Sequence, residues 1–386
     1  GAGIAYVSAK AGMSVVLLDT DLEKAEHGKA YSANLLDKAI QRGYSTPEKK
    51  DALLSMIQTT TEYADLEGCD LVIEAVFENV QIKADVTAKT EAVIPESSIF
   101  ASNTSTLPIT GLAKASARPE QFIGIHFFSP VDKMPLVEVI VGEKTSDEAI
   151  ARSLDYIQQI RKTPIVVNDS RGFFTSRVFG TFTSEGIRML SEGIKPALIE
   201  NAAKMAGMPV GPLAVTDEVS IELAWKVGKA TAQGLGLDYP ADPAQEVIVT
   251  MMEKMDRKGK RYGAGFYDYP EGAKKHLWKG LSKYFPLEED QPDVNDLIQR
   301  LLYIQALESA RCLEENVLTH AADGDIGSIF GIGFPPWTGG VLSYIDTIGI
   351  DKFVEDCDHL AETCGSRFQV SPWLRERAEK NQPFHS

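Results

Sequence analysis

Over residues 1–167, short apolar runs of the kind found in buried β-strands alternate with segments of helical periodicity. Runs that are apolar on both faces are typical of strands inside a parallel sheet. We predict strands at residues 14–18, 70–76, 98–102, 122–128, 135–140 and 164–167. Strands that alternate with helices in this way predict a doubly wound α/β domain.

Residues 1–19 resemble half of a dinucleotide-binding unit. Gly1 leads into a predicted helix at residues 4–11, and the next predicted strand ends at Asp19. A complete unit has a first strand, three glycines and an acidic residue roughly twenty positions on. Gly1 would be the third glycine, so we expect an N-terminally truncated domain without its first strand; a generic helix–turn–strand unit is the alternative. Asp19 favours NAD over NADP, because a carboxylate binds a ribose diol and repels a 2′-phosphate.

Two ionisable residues lie inside the apolar runs 122–128 and 135–140. Glu138 shares a strand face with Leu136 and Ile140, so it requires a partner in order to stay charged. His126 is the candidate partner. The alternative for a lone histidine in an apolar strand is a hydrogen-bonded core residue with no catalytic role.

A polar turn, 103–107, follows the predicted strand 98–102. The carboxyl edge of a parallel sheet is where side chains meet a ligand, so the hydroxyl groups of this turn are candidates for binding. The alternative is a helix cap, which serine and threonine often supply.

Beyond residue 168 the pattern becomes helical, and part of it occurs twice. Several residues recur with the same mutual spacings, which predicts an internal duplication of a helical domain. The first set is Arg177, Glu185, Arg188 and Leu190, and the second is Arg300, Glu308, Arg311 and Leu313. A charged connector at residues 279–296 places the boundary between the copies near residue 285. The predicted domains are therefore 1–167, 168–285 and 286–386.

Composition excludes several classes of partner and site. The net charge of −16 argues against binding to nucleic acid or to an anionic membrane, and no apolar window is long enough for a transmembrane segment. The four cysteines form no C-x-x-C pair, which suits a reducing compartment. We therefore expect a cytoplasmic protein, with the mitochondrial matrix as the alternative. The histidines show no metal-ligand spacing, so no metal site is predicted.

The sequence resembles the 3-hydroxyacyl-CoA dehydrogenase family. It is most similar to the dehydrogenase portion of the multifunctional large subunits of the fatty-acid β-oxidation complex. The motifs that carry the resemblance are 102–105, 126–140, 169–174, 207–213, 263–267 and 331–340. The resemblance implies a Rossmann-type NAD-binding α/β domain followed by two similar all-α domains. It implies oxidation of (S)-3-hydroxyacyl-CoA to 3-oxoacyl-CoA with NAD, as part of a hydratase/dehydrogenase.

The resemblance also implies roles for individual residues. His126 would be the base that removes the hydroxyl proton, and Glu138 would orient it. A histidine suits this task because its ordinary pKa is roughly 6.5. Ser105 would donate to the substrate oxygen, and Ser176 would contact the substrate. The implied cofactor-binding residues are Gly1, Asp19, Val76, Phe77, Glu78, Lys83, Ser105 and Ser129. Many family members have asparagine where this chain has Ser129 and Ser176.

Two other functional hypotheses stay open at this point. One is a non-catalytic fragment or scaffold with an incomplete NAD site, and the other is a different β-hydroxyacid dehydrogenase. The expected partners are the acyl-CoA substrate and either a thiolase subunit or a second copy of the chain. Because a missing central strand leaves edge groups unpaired, we expect this chain alone to be unstable or to aggregate.

Overall fold

The computed structural model describes residues 1–236, 238–240 and 242–385. These residues form two compact units. Unit 1 consists of Gly1–Ser176 and Glu315–Gly331, and unit 2 consists of Arg177–Glu314 and the chain from Ile332 onward. In the described part of the chain, no helix is both long enough and apolar enough to cross a membrane.

The strands and helices are numbered in chain order. The strands are β1 (Val15–Leu18), β2 (Ile57–Thr60), β3 (Leu71–Glu74), β4 (Ile99–Ser102), β5 (Phe122–Phe127), β6 (Leu136–Val141), β7 (Thr163–Asn168), β8 (Tyr267–Asp268) and β9 (His276–Leu277). The helices are α1 (Ala2–Lys10), α2 (Leu22–Gln41), α3 (Pro47–Ser55), α4 (Val80–Glu91), α5 (Ile109–Leu112), α6 (Asp147–Gln159), α7 (Thr175–Ser191), α8 (Pro196–Ala206), α9 (Pro212–Val219), α10 (Ile221–Leu235), α11 (Pro243–Val249), α12 (Leu281–Tyr284), α13 (Val294–Glu314), α14 (Ala321–Ile332), α15 (Val341–Ile348), α16 (Ile350–Cys364) and α17 (Pro372–Glu379).

Unit 1 is an α/β domain, as the alternation of strands and helices predicts. Strands β3 to β7 form a five-stranded sheet in chain order, and β1 pairs with β2 in a separate parallel pair. All neighbours in the larger sheet are parallel except β5 and β6, which no helix separates. All six predicted strands are present, while residues 22–60, for which we made no prediction, form α2, α3 and β2.

The two faces of the central strands have different surroundings. Ile123, Ile125, Val137 and Val139 point into a core that α1 and α6 complete. Because side chains alternate along a strand, Gly124, His126 and Glu138 lie on the opposite face. Five consecutive β6 residues, from Leu136 to Ile140, have no solvent exposure, so Glu138 is buried among apolar neighbours.

Unit 2 is helical, with one short antiparallel hairpin formed by β8 and β9. Its core contains apolar residues of α7, α8, α9, α11 and α13. The residues on both sides of the predicted boundary at 285 belong to this unit, and residues 315–331 belong to unit 1. The division into 1–167, 168–285 and 286–386 therefore stays a prediction from the sequence, and its boundaries differ from those of the two compact units.

Candidate active site

His126 and Glu138 face each other across β5 and β6. They are direct partners in the antiparallel register, and the distance from His126 Nδ1 to Glu138 Oε2 is 2.9 Å. Glu138 is fully buried and His126 is 6% exposed. The hydrogen bond that the sequence predicts between these two residues is therefore present, because their positions on adjacent strands coincide in register.

Three further hydrogen bonds hold the Glu138 carboxylate. The backbone amides of Phe174 and Thr175 donate to Oε1 at 3.0 Å each, and the Thr175 hydroxyl donates to Oε2 at 2.6 Å. These bonds replace the water that a buried carboxylate loses. Sequence reasoning did not identify Thr175, because its contact with Glu138 spans 37 positions and no local pattern marks it.

The other ring nitrogen of His126 has a different environment. Nε2 has no hydrogen-bond partner among the described residues, whereas the ring packs against Phe128 and Phe173 at centroid distances of 4.6 and 6.2 Å. When Nδ1 donates to Glu138, Nε2 carries the lone pair. The arrangement therefore presents one basic nitrogen that is free to accept a proton.

Glu78 organises the turn that contains Ser105. Its Oε1 atom accepts hydrogen bonds from the Thr104 hydroxyl at 2.6 Å and from the amides of Ser105 and Thr106 at 3.1 and 3.3 Å. Burial acts to raise the pKa of Glu78, but the Thr104 hydroxyl, the Lys83 charge and these amides outweigh it and hold the pKa below its ordinary value. Glu78 is therefore a charged acceptor for the turn.

The same turn is tied to the elements beside the histidine. Asn103 Oδ1 accepts from the Phe127 amide at 2.8 Å, and the Ser176 hydroxyl donates to the Ser105 carbonyl at 3.1 Å. The Ser105 hydroxyl itself has no hydrogen-bond partner among the described residues. Ser105 and Ser176 are thus brought together by the fold, and the Ser105 hydroxyl is available to a ligand.

Lys83 lies in a network of buried charges. Its ammonium group is 2.9 and 3.1 Å from the two carboxylate oxygens of Glu74 and 3.4 Å from Glu78 Oε2, and Lys83 is 2% exposed. The Ser102 hydroxyl also donates to Glu74. The network ties β3 to β4 and α4. Glu74 was missed by the sequence reasoning, although a carboxylate inside the apolar run 70–76 is the same signal that identified Glu138.

The remaining predicted cofactor residues follow the carboxyl ends of strands or precede a helix. Asp19 follows β1, and its Oδ1 accepts from the Thr20 amide at 2.7 Å. Val76 and Phe77 follow β3, and Phe77 is 82% exposed. Gly1 precedes α1 without a side-chain cap, and Ser129 is exposed in the segment between β5 and β6. The groups at these positions suit a dinucleotide. The carboxylate can accept hydrogen bonds from a ribose, the free amides at the start of the helix can bind a phosphate, and the apolar surface can pack against a ring.

The architecture is a Rossmann-like α/β domain followed by a helical part, and comparisons with known proteins agree with it. Residues 1–170 match the model "3-hydroxyacyl-CoA dehydrogenase, NAD binding domain", and residues 172–269 match "3-hydroxyacyl-CoA dehydrogenase, C-terminal domain". The (S)-3-hydroxybutyryl-CoA dehydrogenase PaaH1 from Ralstonia eutropha is 34% identical, with a TM-score of 0.65, and its structure matches over 70% of this chain and 95% of its own. The chain therefore belongs to the 3-hydroxyacyl-CoA dehydrogenase family, as its motifs predict, and its α/β domain is an NAD-binding domain.

Two further relatives extend the match to the whole chain. The fatty acid oxidation complex subunit alpha of Shewanella halifaxensis is 39% identical over 391 residues, which cover 100% of this chain and 54% of that protein. The chain thus spans about half the length of the curated relatives that it matches. The 3-hydroxybutyryl-CoA dehydrogenase of Escherichia coli has a TM-score of 0.84 over 98% of this chain and 96% of its own. Because it is 23% identical, it adds a likeness of fold alone.

Proposed function

We propose that this protein oxidises (S)-3-hydroxyacyl-CoA to 3-oxoacyl-CoA with NAD in fatty-acid β-oxidation. The observation that carries the proposal is the buried His126–Glu138 pair, in which the Nε2 atom of His126 is free. Oxidation of a secondary alcohol requires removal of the hydroxyl proton as the hydride leaves the same carbon. A histidine that a buried carboxylate holds in one tautomer, with its other ring nitrogen free, meets that requirement.

Each residue has a specific task in this proposal. His126 Nε2 accepts the hydroxyl proton, and Glu138 stabilises the imidazolium that forms. The Ser105 hydroxyl donates to the substrate oxygen, and Ser176 supports the Ser105 turn through its bond to the Ser105 carbonyl. Glu78 fixes the amides of that turn, which makes it a positioning residue for Ser105.

The residues present fit NAD. When bound, NAD supplies the acceptor for the hydride. Asp19 would bind the adenosine ribose, the amides at the start of α1 would bind phosphate, and Val76 and Phe77 would cover a ring. The ammonium group of Lys83 is bonded to Glu74 and Glu78. We therefore propose that Lys83 acts by holding the loop after β3 in place.

We further propose that the chain is the dehydrogenase part of a multifunctional subunit that carries a hydratase and assembles with a thiolase or with itself. The support is the resemblance to the alpha subunits, of which this chain spans 54%. A cytoplasmic location, with the mitochondrial matrix as the alternative, stays a prediction from composition.

Two finer features of the fold are part of the proposal. A strand that precedes Gly1 would lie between β1 and β3, since among the described residues β1 pairs only with β2 and β3 only with β4. Hydrogen exchange of the β1 and β3 amides would then be slow in the full-length protein and fast in a chain that starts at Gly1. The helical part would be a duplication, which is supported by reciprocal ion pairs between equivalent residues of α7 and α13.

The decisive test is the variant His126→Gln in the full-length protein. NADH formation from (S)-3-hydroxybutyryl-CoA should fall by roughly 10²–10⁴, while NAD binding measured by calorimetry stays close to wild type. The matched control is His359→Gln, which changes an exposed histidine of α16 and should leave the rate unchanged. No NADH formation by the wild-type protein, or an unchanged rate for His126→Gln, would refute the proposal.

A further inference from the structure

We propose that the Thr175 hydroxyl is a positioning group for the acid–base pair: it shares Glu138 Oε2 with His126 and thereby sets the pH at which His126 exchanges its proton. The inference deepens the proposed dehydrogenase function and rests on it. Both donors reach the same oxygen, His126 Nδ1 at 2.9 Å and Thr175 Oγ1 at 2.6 Å. The strength of one bond therefore depends on the other.

The direction of the threonine bond follows from chemistry. A carboxylate can only accept hydrogen bonds, so the Thr175 hydroxyl is the donor. Thr175 is the first residue of α7, and its hydroxyl is used on Glu138 instead of on its own helix. Because Thr175 is 1% exposed and Glu138 has no exposure, water is not available to replace this bond.

The packing around Thr175 holds its side chain in place. A Cβ atom added to Gly331 of α14 would lie 3.5 Å from the Thr175 methyl and 2.6 Å from Leu136 Cδ2, so the helix passes close to both residues. Valine has the same shape as threonine. A Thr175→Val variant therefore removes the hydroxyl and keeps the β-branched shape that fills the site.

No other charge in the described part of the chain is bonded to the pair. On β4, Ser102 pairs with Gly124, and on β7, Ile165 lies opposite Glu138; both flanking residues are uncharged. At the start of α7, the groups bonded to Glu138 are the Phe174 amide, which precedes the helix, and the Thr175 amide and hydroxyl. The rings beside His126 are those of Phe128 and Phe173. Helix α14, which passes close to Thr175, carries the acidic residues Asp323 and Asp325. The ion pair between Lys83 of α4 and Glu74 of β3 lies beyond β4.

The sign of the effect follows from the charge on Glu138. A hydrogen bond to a carboxylate is strongest when the carboxylate carries its full charge, which is the state in which the pair holds no extra proton. Removal of the Thr175 hydroxyl destabilises that state most. The pair then holds its proton more tightly, whichever partner carries it, so deprotonation moves to higher pH.

The experiment compares the pH dependence of kcat/KM for alcohol oxidation in full-length wild type, Thr175→Val and Thr175→Ser. For Thr175→Val we expect the acidic limb of the kcat/KM profile to move to higher pH by roughly half to one unit. At pH values below the midpoint of this limb, kcat/KM should therefore be about 3–10-fold lower than in wild type. At high pH it should be close to the wild-type value. Thr175→Ser keeps the hydroxyl and should restore the wild-type limb. The KM for NAD should not change in either variant.

A matched control separates this effect from lost stability. Thr216→Val also removes a buried threonine hydroxyl, one that donates to the Pro212 carbonyl at 2.7 Å in unit 2. It should lower the melting temperature without moving the pH limb. A Thr175→Val profile that coincides with wild type, or a Thr175→Ser limb that shifts as far as Thr175→Val, overturns the inference.

A measurement without substrate keeps this test distinct from that of the proposed function. In cofactor-free protein labelled at histidine, the titration midpoint of the His126 resonance should rise in Thr175→Val, with His126→Gln used for assignment. An unchanged midpoint overturns the inference even if the enzyme is active. A raised midpoint in a protein that forms no NADH supports the role of Thr175 and refutes the dehydrogenase proposal alone.

Discussion

Arg177 of α7 and Glu308 of α13 form an ion pair with an N···O distance of 2.7 Å. The equivalent residues of the proposed repeat, Arg300 of α13 and Glu185 of α7, form a second pair at 2.6 Å in the opposite sense. The residues that recur with the same spacing in α7 and α13 therefore form reciprocal ion pairs. The same reciprocity occurs at the repeated Gly-x-Pro segments, where a Cβ on Gly207 would meet Pro335 and a Cβ on Gly333 would meet Pro209.

The first prediction concerns Glu185, which is 1% exposed and accepts hydrogen bonds from both Arg300 and Arg367. Glu185→Gln removes the negative charge that Arg300 and Arg367 share. We therefore expect the free energy of unfolding, measured by urea titration, to fall by about 2–3 kcal/mol. Glu376→Gln, which breaks an exposed pair with Lys380, should leave the unfolding midpoint unchanged. Equal midpoints for the two variants would show that the buried network does not stabilise unit 2.

The second prediction concerns the close approach of Gly265 to Asp217. A Cβ on Gly265 would lie 1.9 Å from Asp217 Oδ1, which accepts the Phe266 amide at 2.8 Å. Gly265→Ala should therefore destabilise the protein by about 3 kcal/mol, measured by urea unfolding. Gly180→Ala, inside α7 with nothing within 4 Å of the new atom, should be neutral or stabilising. Similar stability of the two variants would contradict the steric argument.

The third prediction concerns pH. Burial raises the pKa of Asp217 from 3.8 to about 6, against the effect of its hydrogen bonds from the Tyr267 and Phe266 amides and from Tyr269, and of the Arg257 charge. Because the pKa is higher in the folded state than in the unfolded state, the folded protein binds this proton more tightly. The stability that the group contributes is fully present below about pH 4 and is lost as the pH rises through 6.

The measurement for Asp217 is the free energy of unfolding of wild type minus that of Asp217→Asn, as a function of pH. This difference should decrease by roughly 2–3 kcal/mol between pH 4 and pH 7. Any effect of the asparagine amide on stability that does not depend on pH leaves this comparison unchanged, since only the change of the difference with pH is used. A difference that stays constant or increases with pH would show that burial does not destabilise the charged form of Asp217.

The fourth prediction concerns cofactor choice. Asp19→Asn removes the charge that would bind the ribose hydroxyls and repel a 2′-phosphate, so the KM for NAD should rise about tenfold and the preference for NAD over NADP should narrow. Steady-state kinetics with both cofactors measure this. Glu23→Gln, an exposed change in the first turn of α2, should alter neither KM. An unchanged ratio of kcat/KM values in Asp19→Asn would place the ribose elsewhere.

Prediction from sequence worked best where a polar residue interrupted an apolar strand. His126 and Glu138 were identified in this way, because alternation along a strand specifies which side chains share a face. The same rule applied to the run 70–76 would have found Glu74. Helices α2 and α3 carried no comparable signal, since much of their surface is exposed and their pattern of burial is weak.

Thr175 and Glu78 show what local patterns do not contain. Thr175 contacts Glu138 across 37 positions, and Glu78 contacts the Ser105 amide across 27. Neither spacing repeats along an element, so only the assembled sheet and its neighbouring helices define these bonds. Lys83 illustrates the same point: the family resemblance implies a cofactor role, which stays a prediction, whereas its bonds to Glu74 and Glu78 are visible only in the structure.

The sequence alone determined the α/β architecture, the family and the two members of the buried His126–Glu138 pair. These depend on periodicity and on motifs, which are properties of consecutive residues. The tertiary structure decided how many donors each buried carboxylate receives, which hydroxyl groups are left free and which glycines leave no room for a side chain. Those properties depend on distances between residues far apart in the chain, and such distances exist only once the elements have packed.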